Sequence, residues 1–464
     1  MKLIERQVSI PVAPSHHSLI SHIKKTVEVT LSDTVLPIRF VITGVTGVEY
    51  NCELGILEGM EIAKTRGLNS IFSFVPRKVE RTDTFNAVFL VPTGIGAEIG
   101  GHAGDATPAA RVIATACDTL VTHPNVVNAS DLNEMPENTL YVEGSSITQL
   151  LMGTVGLQRV RANRVLVIVD AHETEVFVND TVNAVSAARA TYGFDCVKVV
   201  KLDPPLRMTS SFTNSGRASG EIEGLYRVCA VLDEHEGAFD AVAIASVVDV
   251  PDEYHKEYFR RDGKMVNPWG GVEAMLTHSL SMLYGLPTAH SPMLESQAMA
   301  DFDLGLVEPR LAAEAVSFTF LQCMLKGLHR SPRIISHPEA LGEAGIFTAS
   351  DVSCLVIPDK QGGLELNFLE LALILEEMGR VNFPGPYFST VVLGGMTILE
   401  AGNAQQKDEY LPLIAEGKAI FSMALTEPTA SWAPSGIEAT AKQKDDQYIP
   451  VSYTHLTLPT SDLV

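Results

Sequence analysis

The stretch RVLVIVDAHETEVFVNDTVNAVSAARATYGFDCVKVVKL, residues 164–202, decides the fold class. RVLVIVD is short and nearly continuous in Val, Ile and Leu, the texture of a strand covered on both faces. The Ala-rich run TVNAVSAARATYG then reads as a helix closed by Gly193, and CVKVVKL as a second strand. Strand, helix and strand at this spacing predict a βαβ unit with parallel pairing. Working outward, further strands are expected in RQVSIPVA, IRFVITGV, NAVFLVP, TLVTHP, TLYVEG, AVAIASVV and SCLVIP, and a helix in TPAARVIATACD. The expectation for residues 1–359 is an α/β fold, a largely parallel sheet with flanking helices.

Composition narrows the function classes. The 464 residues suffice for two or three domains. With 46% hydrophobic and 19% charged residues, the chain is of ordinary globular type. A formal charge of −22 argues against a nucleic-acid partner, which would need a basic face. No apolar run approaches bilayer length, and MKLIERQVSIPVAP lacks a signal peptide's apolar core, so no membrane partner is expected. The six cysteines are scattered without a C-x-x-C pair, which reads as reduced, buried thiols in a cytoplasmic protein. The expected partner is a small-molecule ligand, and the oligomeric state is left open.

The strongest local signal for a site is FLVPTGIGAEIGGHAGDATPAARVIA, residues 89–114. Gly94, Gly96, Gly100, Gly101 and Gly104 let backbone approach a ligand closely, and the helix start beyond them offers N–H groups to an anion. The spacing is not G-x-G-x-x-G and no G-K-S/T follows, so neither a dinucleotide site nor a P-loop is implied. Tight-turn geometry is the competing reading. Polar residues also gather at expected strand ends, where sites of open α/β sheets lie. The candidate catalytic residues are His102 and Asp105 beside the loop, His123 after TLVT, and Asp170 with His172 after RVLVIV. The last two would share a face if the strand continued. Asn125, Asn128, Glu143, Asn267, Trp269, Glu273 and His290 are of the same kind. Such groups suit a divalent metal or a general acid–base pair, although no metal ligand set is assigned.

After Gly363 the texture turns helical, in NFLELALILEEMGR, PYFSTVVLGGMTILEAG and AQQKDEYLPLIAEG, with AIFSMALTEP following as a strand. GGLELNFLELALILEEMGR, QQKDEYLPLIAEGKAIFSMALTEP and SGIEATA together resemble acyl-CoA dehydrogenases over residues 362–447. The resemblance implies the end of an all-α domain (362–420) and the start of a β-domain (421–447). It also implies FAD contacts from Met423, Leu425, Thr426, Ser431 and Trp432. Where the family commonly has G-x-G-S-D after T-E-P, this chain has TASWA, a Ser-Trp pair that some members carry. The family's opening helices before Gly362, the rest of its β-domain and its C-terminal bundle with the catalytic glutamate are not recognisable. No residue takes the role of base, and activity from this part is not expected. The final VSYTHLTLPTSDLV resembles translated sequencing-adapter read-through, so residues 448–464 read as a non-native tail.

Residues 1–359 resemble a family known as domain of unknown function 3326. The motifs are PTGIGAEIGGHAGDATPAARVIA, THPNVVNASDL, LYVEG, NPWGGVEAML and AGIFTASDVSCLVIPD. This resemblance supplies no chemistry. Both resemblances break near residues 359–362, whereas a natural fusion would keep each domain whole, because a truncated one exposes apolar surface. The expectation is a chimeric or misassembled chain without one coherent activity, whose N-terminal part is a small-molecule enzyme with an anion-binding glycine loop. The alternatives are an FAD-dependent acyl-CoA dehydrogenase-like oxidoreductase and a non-catalytic ligand-binding module.

Overall fold

The computed structural model describes residues 1–31, 34–59, 68–75, 83–91, 106–127, 135–260, 265–301, 305–307, 320–356, 387–415, 417–421, 440–444 and 447–451. The chain forms two units, Met1–Asn367 and Phe368–Val464.

The first unit begins with β1 (Lys2–Pro11), α1 (Leu19–Thr30), β2 (Val35–Val45) and β3 (Glu49–Glu58). β4 (Asn86–Phe89), α2 (Thr107–Ala116), β5 (Thr119–Thr122), β6 (Thr139–Tyr141), α3 (Ser146–Leu151) and β7 (Gly156–Gln158) follow. Next come β8 (Arg164–Asp170), α4 (Glu175–Tyr192), β9 (Asp195–Leu202), β10 (Arg207–Phe212) and β11 (Ala218–Glu223). The unit continues with α5 (Leu225–Glu234), β12 (Ala241–Val247), α6 (Asp252–Arg260), α7 (Gly270–Tyr284) and β13 (Thr288–Met293). It closes with α8 (Gln297–Ala300), α9 (Phe320–Arg330), β14 (Arg333–Ile335), β15 (Ile346–Phe347) and β16 (Cys354–Val356).

The βαβ reading of residues 164–202 holds. β8 and β9 pair in parallel, and Gly193 ends α4 in the left-handed region at φ 69°. They belong to the parallel sheet β13-β12-β8-β9, and a second parallel sheet has the order β16-β4-β5-β6. β8 is covered on both faces. Leu166 and Ile168 join the largest core cluster, with Leu3 and Leu57 from one side and Leu276 and Leu280 of α7. Val165 and Val167 face Val185 and Ala188 of α4 and Leu321, Leu325 and Leu328 of α9.

A largely parallel sheet is not what forms, and that expectation is corrected. The strands β10-β11-β1-β3-β2 make an antiparallel sheet, and β14-β7-β15 a small second one. The reason is local. Thr46 accepts backbone N–H groups from Val48 and Glu49, at 3.3 and 3.0 Å, and turns β2 straight back into β3. β3 escaped the apolar-run criterion because Glu53 interrupts it. That carboxylate is buried on an ion pair with Arg217.

Helix α7 is the central brace. At Gly271 its backbone lies so close to β11 that a Cβ would strike the Ala218 carbonyl, and Gly220 of β11 is similarly tight against Val272. Asn267 starts the helix by accepting N–H groups from Trp269 and Gly270 at 2.9 and 3.1 Å.

In the second unit a π-helical segment Phe388–Gly395 runs into α10 (Met396–Ala401) and then α11 (Ala404–Ala415), which ends near Gly417 at φ 67°. The Thr390 hydroxyl bonds both the N–H and the carbonyl of Phe421, each at 3.2 Å. The expected strand from Ala419 is not present over residues 419–421, and its remainder lies outside the described residues. β17 (Thr440–Lys444) and β18 (Gln447–Val451) form a hairpin. The expected helix NFLELALILEEMGR and the seam at residues 359–362 also lie outside the described residues. Among the described residues, no helix is long and apolar enough to cross a membrane.

Two substitutions test this packing by urea unfolding. Leu166→Ala leaves a void between two covered faces and is expected to lower stability by about 2–5 kcal/mol. Gly271→Ala forces α7 off β11 and is expected to lower it by about 1–3 kcal/mol. Val197→Ala, at the half-exposed bulge of β9, is the control expected to stay within about 0.5 kcal/mol.

Candidate functional site

The ends of β5 and β6 meet the middle of α7 in the first unit, and polar groups collect there. His123 follows β5. Its Nε2 accepts the Val91 N–H at 3.0 Å, while Asn125 donates to the Val91 carbonyl at 3.2 Å. A nitrogen that accepts a backbone N–H carries no proton, so the His123 ring is neutral and its hydrogen sits on Nδ1. Burial reinforces this by pushing its pKa down to about 4. His278 of α7 is held down to about 4 as well, by burial first and by His123 second. Among the described residues, the His278 ring has no hydrogen-bonding partner.

Glu143 follows β6 and is buried. Burial pushes its carboxyl up to about 8. A hydrogen bond with Tyr141 opposes the rise and the charge of Glu273 adds to it. One of its oxygens, Oε1, has no partner. Thr122 Oγ1, at the end of β5, and Ser281 Oγ, on α7, are likewise buried and unpartnered. The backbone brings their residues to one junction. Thr122 pairs with Tyr141 across the strands, and Gly144 packs so tightly on α7 that a Cβ would lie 2.8 Å from Ser281 Oγ. Gly144 stands at φ 68°, a conformation that favours glycine. Buried polar atoms are nearly always paired, so a group of exceptions marks a site.

A hydrogen-bonded chain backs this cluster. The Ser246 hydroxyl lies 2.8 Å from His290 Nε2, and His290 Nδ1 lies 2.7 Å from a Glu273 carboxylate oxygen. Ser246 on β12 and His290 on β13 are both buried, and both project from the sheet face that α7 covers. The chain fixes the Glu273 carboxylate, whose charge reaches Glu143.

A cavity of about 920 Å³ opens beside the cluster. His123, Gly144, Ser145 and His278 line one wall. Ile20 and Ile23 of α1 with Ile38, Phe40 and Ile42 of β2 line another.

Of the residues expected from sequence to act, His123 lies on this cavity and the other two described candidates do not. His172 is used up locally. Its Nδ1 accepts the Thr174 N–H at 2.8 Å, so Nε2 carries the proton toward the Leu294 carbonyl at 3.0 Å. The strand ends at Asp170, so the shared face expected for Asp170 and His172 does not form. Asp170 is buried and accepts the Leu206 N–H at 3.0 Å. Burial pushes it up to about 7, against the Leu206 N–H and Arg227. Trp269 packs edge-on to His255 and Tyr258, at 5.0 and 5.7 Å, as part of an aromatic cluster. His102, Asp105, Asn128 and the glycines 94, 96, 100, 101 and 104 lie outside the described residues. So do Met423, Leu425, Thr426, Ser431 and Trp432. Among the described residues, no group of three or more His, Cys, Asp or Glu side chains is placed to hold a metal ion. Sequence reasoning passed over His278, which sits in a largely apolar, mostly buried helix. It also passed over Ser246, whose one signal is a hydroxyl inside the apolar run AVAIASVV.

Comparison with known proteins now adds the family. The model for a protein family of unknown function, DUF3326, matches residues 86–374. The model for the acyl-CoA dehydrogenase N-terminal domain matches residues 337–418, so the two matches overlap across the region where the sequence suggested a join. An uncharacterized lipoprotein of Synechococcus sp. is 36% identical over 279 residues, covering 60% of this chain and 76% of that protein. A probable acyl-CoA dehydrogenase of Bacillus subtilis is 36% identical over 101 residues, covering 22% of this chain and 16% of that protein. No solved structure matches the chain. By the extent of the first match and the coverage of the first relative, this chain belongs to the DUF3326 family of proteins of unknown function.

Proposed function

We propose that residues 1–359 form a small-molecule enzyme whose chemistry is proton transfer, carried out at the junction of β5, β6 and α7. The observation that carries this reading is the Glu143 carboxyl, buried with an unpartnered oxygen, next in sequence to the cavity-lining Gly144 and within the electrostatic reach of Glu273, which His290 and Ser246 brace. Burying a carboxyl without full hydrogen bonding costs several kcal/mol, and such groups concentrate at functional sites. A protonated acid beside an ionised carboxylate is the arrangement that separates general acid from general base. In this reading Glu143 is the general acid that donates to the carbonyl oxygen and Glu273 the general base that takes the carbon-bound proton. His123 is a neutral donor through Nδ1, because its other nitrogen is committed to Val91. For the glycine-rich stretch that follows Val91 in the sequence we propose an anion-binding role separate from the proton-transfer site.

For the rest of the chain the proposal is narrower. FAD is the cofactor that the acyl-CoA dehydrogenase resemblance implies. Met423, Leu425, Thr426, Ser431 and Trp432 would hold it, and no step is derived through it. We hold that the two parts share no single activity. Continuous sequencing reads from source DNA across codons 350–370 would overturn that view. None of the six cysteines is joined in a disulfide, in keeping with the reduced, cytoplasmic setting we propose.

Two measurements test the enzyme reading. In D2O, the full chain is expected to exchange C–H protons next to the carbonyl in some member of a panel of ketones, aldehydes, esters and acids, read by NMR. Glu143→Gln is expected to slow that exchange by about 100-fold or more. Exchange that persists undiminished in the variant, or is absent across the panel, defeats the reading.

The second measurement is stability against pH. The folded chain holds the Glu143 proton more tightly than the unfolded chain does. Its contribution is therefore complete below about pH 4.5 and is lost as pH climbs through about 8. His123 and His278 act in the opposite sense, stabilising above about 6.5 and losing that contribution as pH falls toward 4. The Asp170 contribution is largely gone by about 7. Between pH 7 and 8 the chain is thus expected to lose up to about 1.4 kcal/mol of unfolding free energy through Glu143, with Glu143→Gln losing only the smaller remainder from Asp170. Equal slopes in the two proteins would contradict the assignment.

A further inference from the structure

We propose that the cavity beside Glu143 binds a single-chain amphiphile whose polar head is an uncharged carbonyl group, with the head at His123 and His278 and the chain along α1 and β2. This deepens the reading of the same site by naming its substrate class. The first support is shape and lining. At about 920 Å³ the cavity stands at the upper end of the range for small-molecule sites, about 300–1,000 Å³. Its far wall is apolar, built from Ile20 and Ile23 of α1, Phe40 and Ile42 of β2, and Phe72 and Phe74. Three of these, Ile20, Ile42 and Phe74, are 39%, 38% and 50% exposed, an unusual grouping of open apolar side chains around one cavity.

The second support is charge. The only fixed cations on the lining, among the described residues, are Arg39 and Arg217. Their charges are balanced by Glu5 and Glu53, although Arg39 Nη2 itself makes no hydrogen bond. Arg217 pairs with Glu53 and, at 3.1 Å, with Glu5, while Arg39 lies 3.9 Å from Glu5 and donates to the Gly271 carbonyl at 3.4 Å. No uncompensated positive charge is left to receive a carboxylate or phosphate. The other polar side chains of the lining are uncharged amides and hydroxyls, together with His123, whose Nδ1–H is a donor by the geometry of its Val91 bond, and His278, whose ring is free of hydrogen bonds among the described residues. Neutral donors at one wall, opposite the isoleucines and phenylalanines of α1, β2 and residues 72–74, fit a carbonyl oxygen at the end of an alkyl chain. It also sets that carbonyl beside the Glu143 acid, one residue from the Gly144 lining position.

The test is displacement of the uncharged fluorophore prodan from the full chain at pH 8. Methyl decanoate is expected to displace it, methyl octanoate about tenfold more weakly because two methylenes are lost, and decanoate, fully charged, at least about tenfold more weakly than its ester. Ile20→Glu, at an exposed position, is expected to weaken the ester about tenfold with circular dichroism unchanged. If that variant does not fold, Ile42→Ser provides the same readout. Failure of the ester to displace prodan, decanoate binding as well as its ester, or full binding by a folded Ile20→Glu would each overturn the proposal. Binding is read without turnover and also in Glu143→Gln. A failure here therefore leaves the proton-transfer reading standing, and loss of proton transfer leaves this proposal standing.

Discussion

The arrangement depends on one close approach, the seating of α7 between an antiparallel sheet and a parallel one. Gly271 and Gly220 let the start of the helix touch β11, and Gly144 lets its later turns touch the end of β6. With side chains at these points the helix would stand off, and interiors packed to crystal density do not accommodate that cheaply. Seated where it is, α7 presents three groups to three places. Glu273 reaches His290, His278 faces the cavity, and Ser281 abuts Gly144.

Polarity inside this junction is organised by commitment of hydrogen bonds. The Val91 N–H claims one nitrogen of His123, which decides the tautomer before any ligand arrives. Ser246 and Glu273 claim both nitrogens of His290. The oxygen left over is on Glu143, and with Thr122 and Ser281 it forms the unsatisfied group of the site. A triad-like sequence of serine, histidine and glutamate therefore works here as a brace. The serine is fully buried in the sheet, with its hydroxyl turned to His290 and Met208 rather than to the cavity.

His172 and Asp170 show why a residue at a strand end is a weak indicator on its own. Both lie where open α/β sheets place their sites, yet backbone groups take up the His172 ring and one oxygen of Asp170, whose Oδ1 stays unpartnered away from the cavity lining. Thr174 and Leu294 take up the His172 ring, and Leu206 holds the Asp170 carboxyl. His123 differs only in that its partner, Val91, lines a cavity.

The sequence by itself determined the strands that are apolar on both faces, such as β8 and β12, the helix closed by Gly193, and the family through its motifs. These depend on residue periodicity and glycine conformation, which are local properties. It did not disclose β3, whose Glu53 is tolerable in a buried strand only because Arg217, distant along the chain, neutralises it. Nor did it disclose His278, Ser246 or the electrostatic influence of Glu273 on Glu143. Those groups come from strands and helices far apart in the chain, and their chemistry arises from the burial and charge that neighbouring elements impose. Only the tertiary structure decided which polar residues share a site, because desolvation and hydrogen-bond partnership are properties of packed neighbours and not of a sequence window.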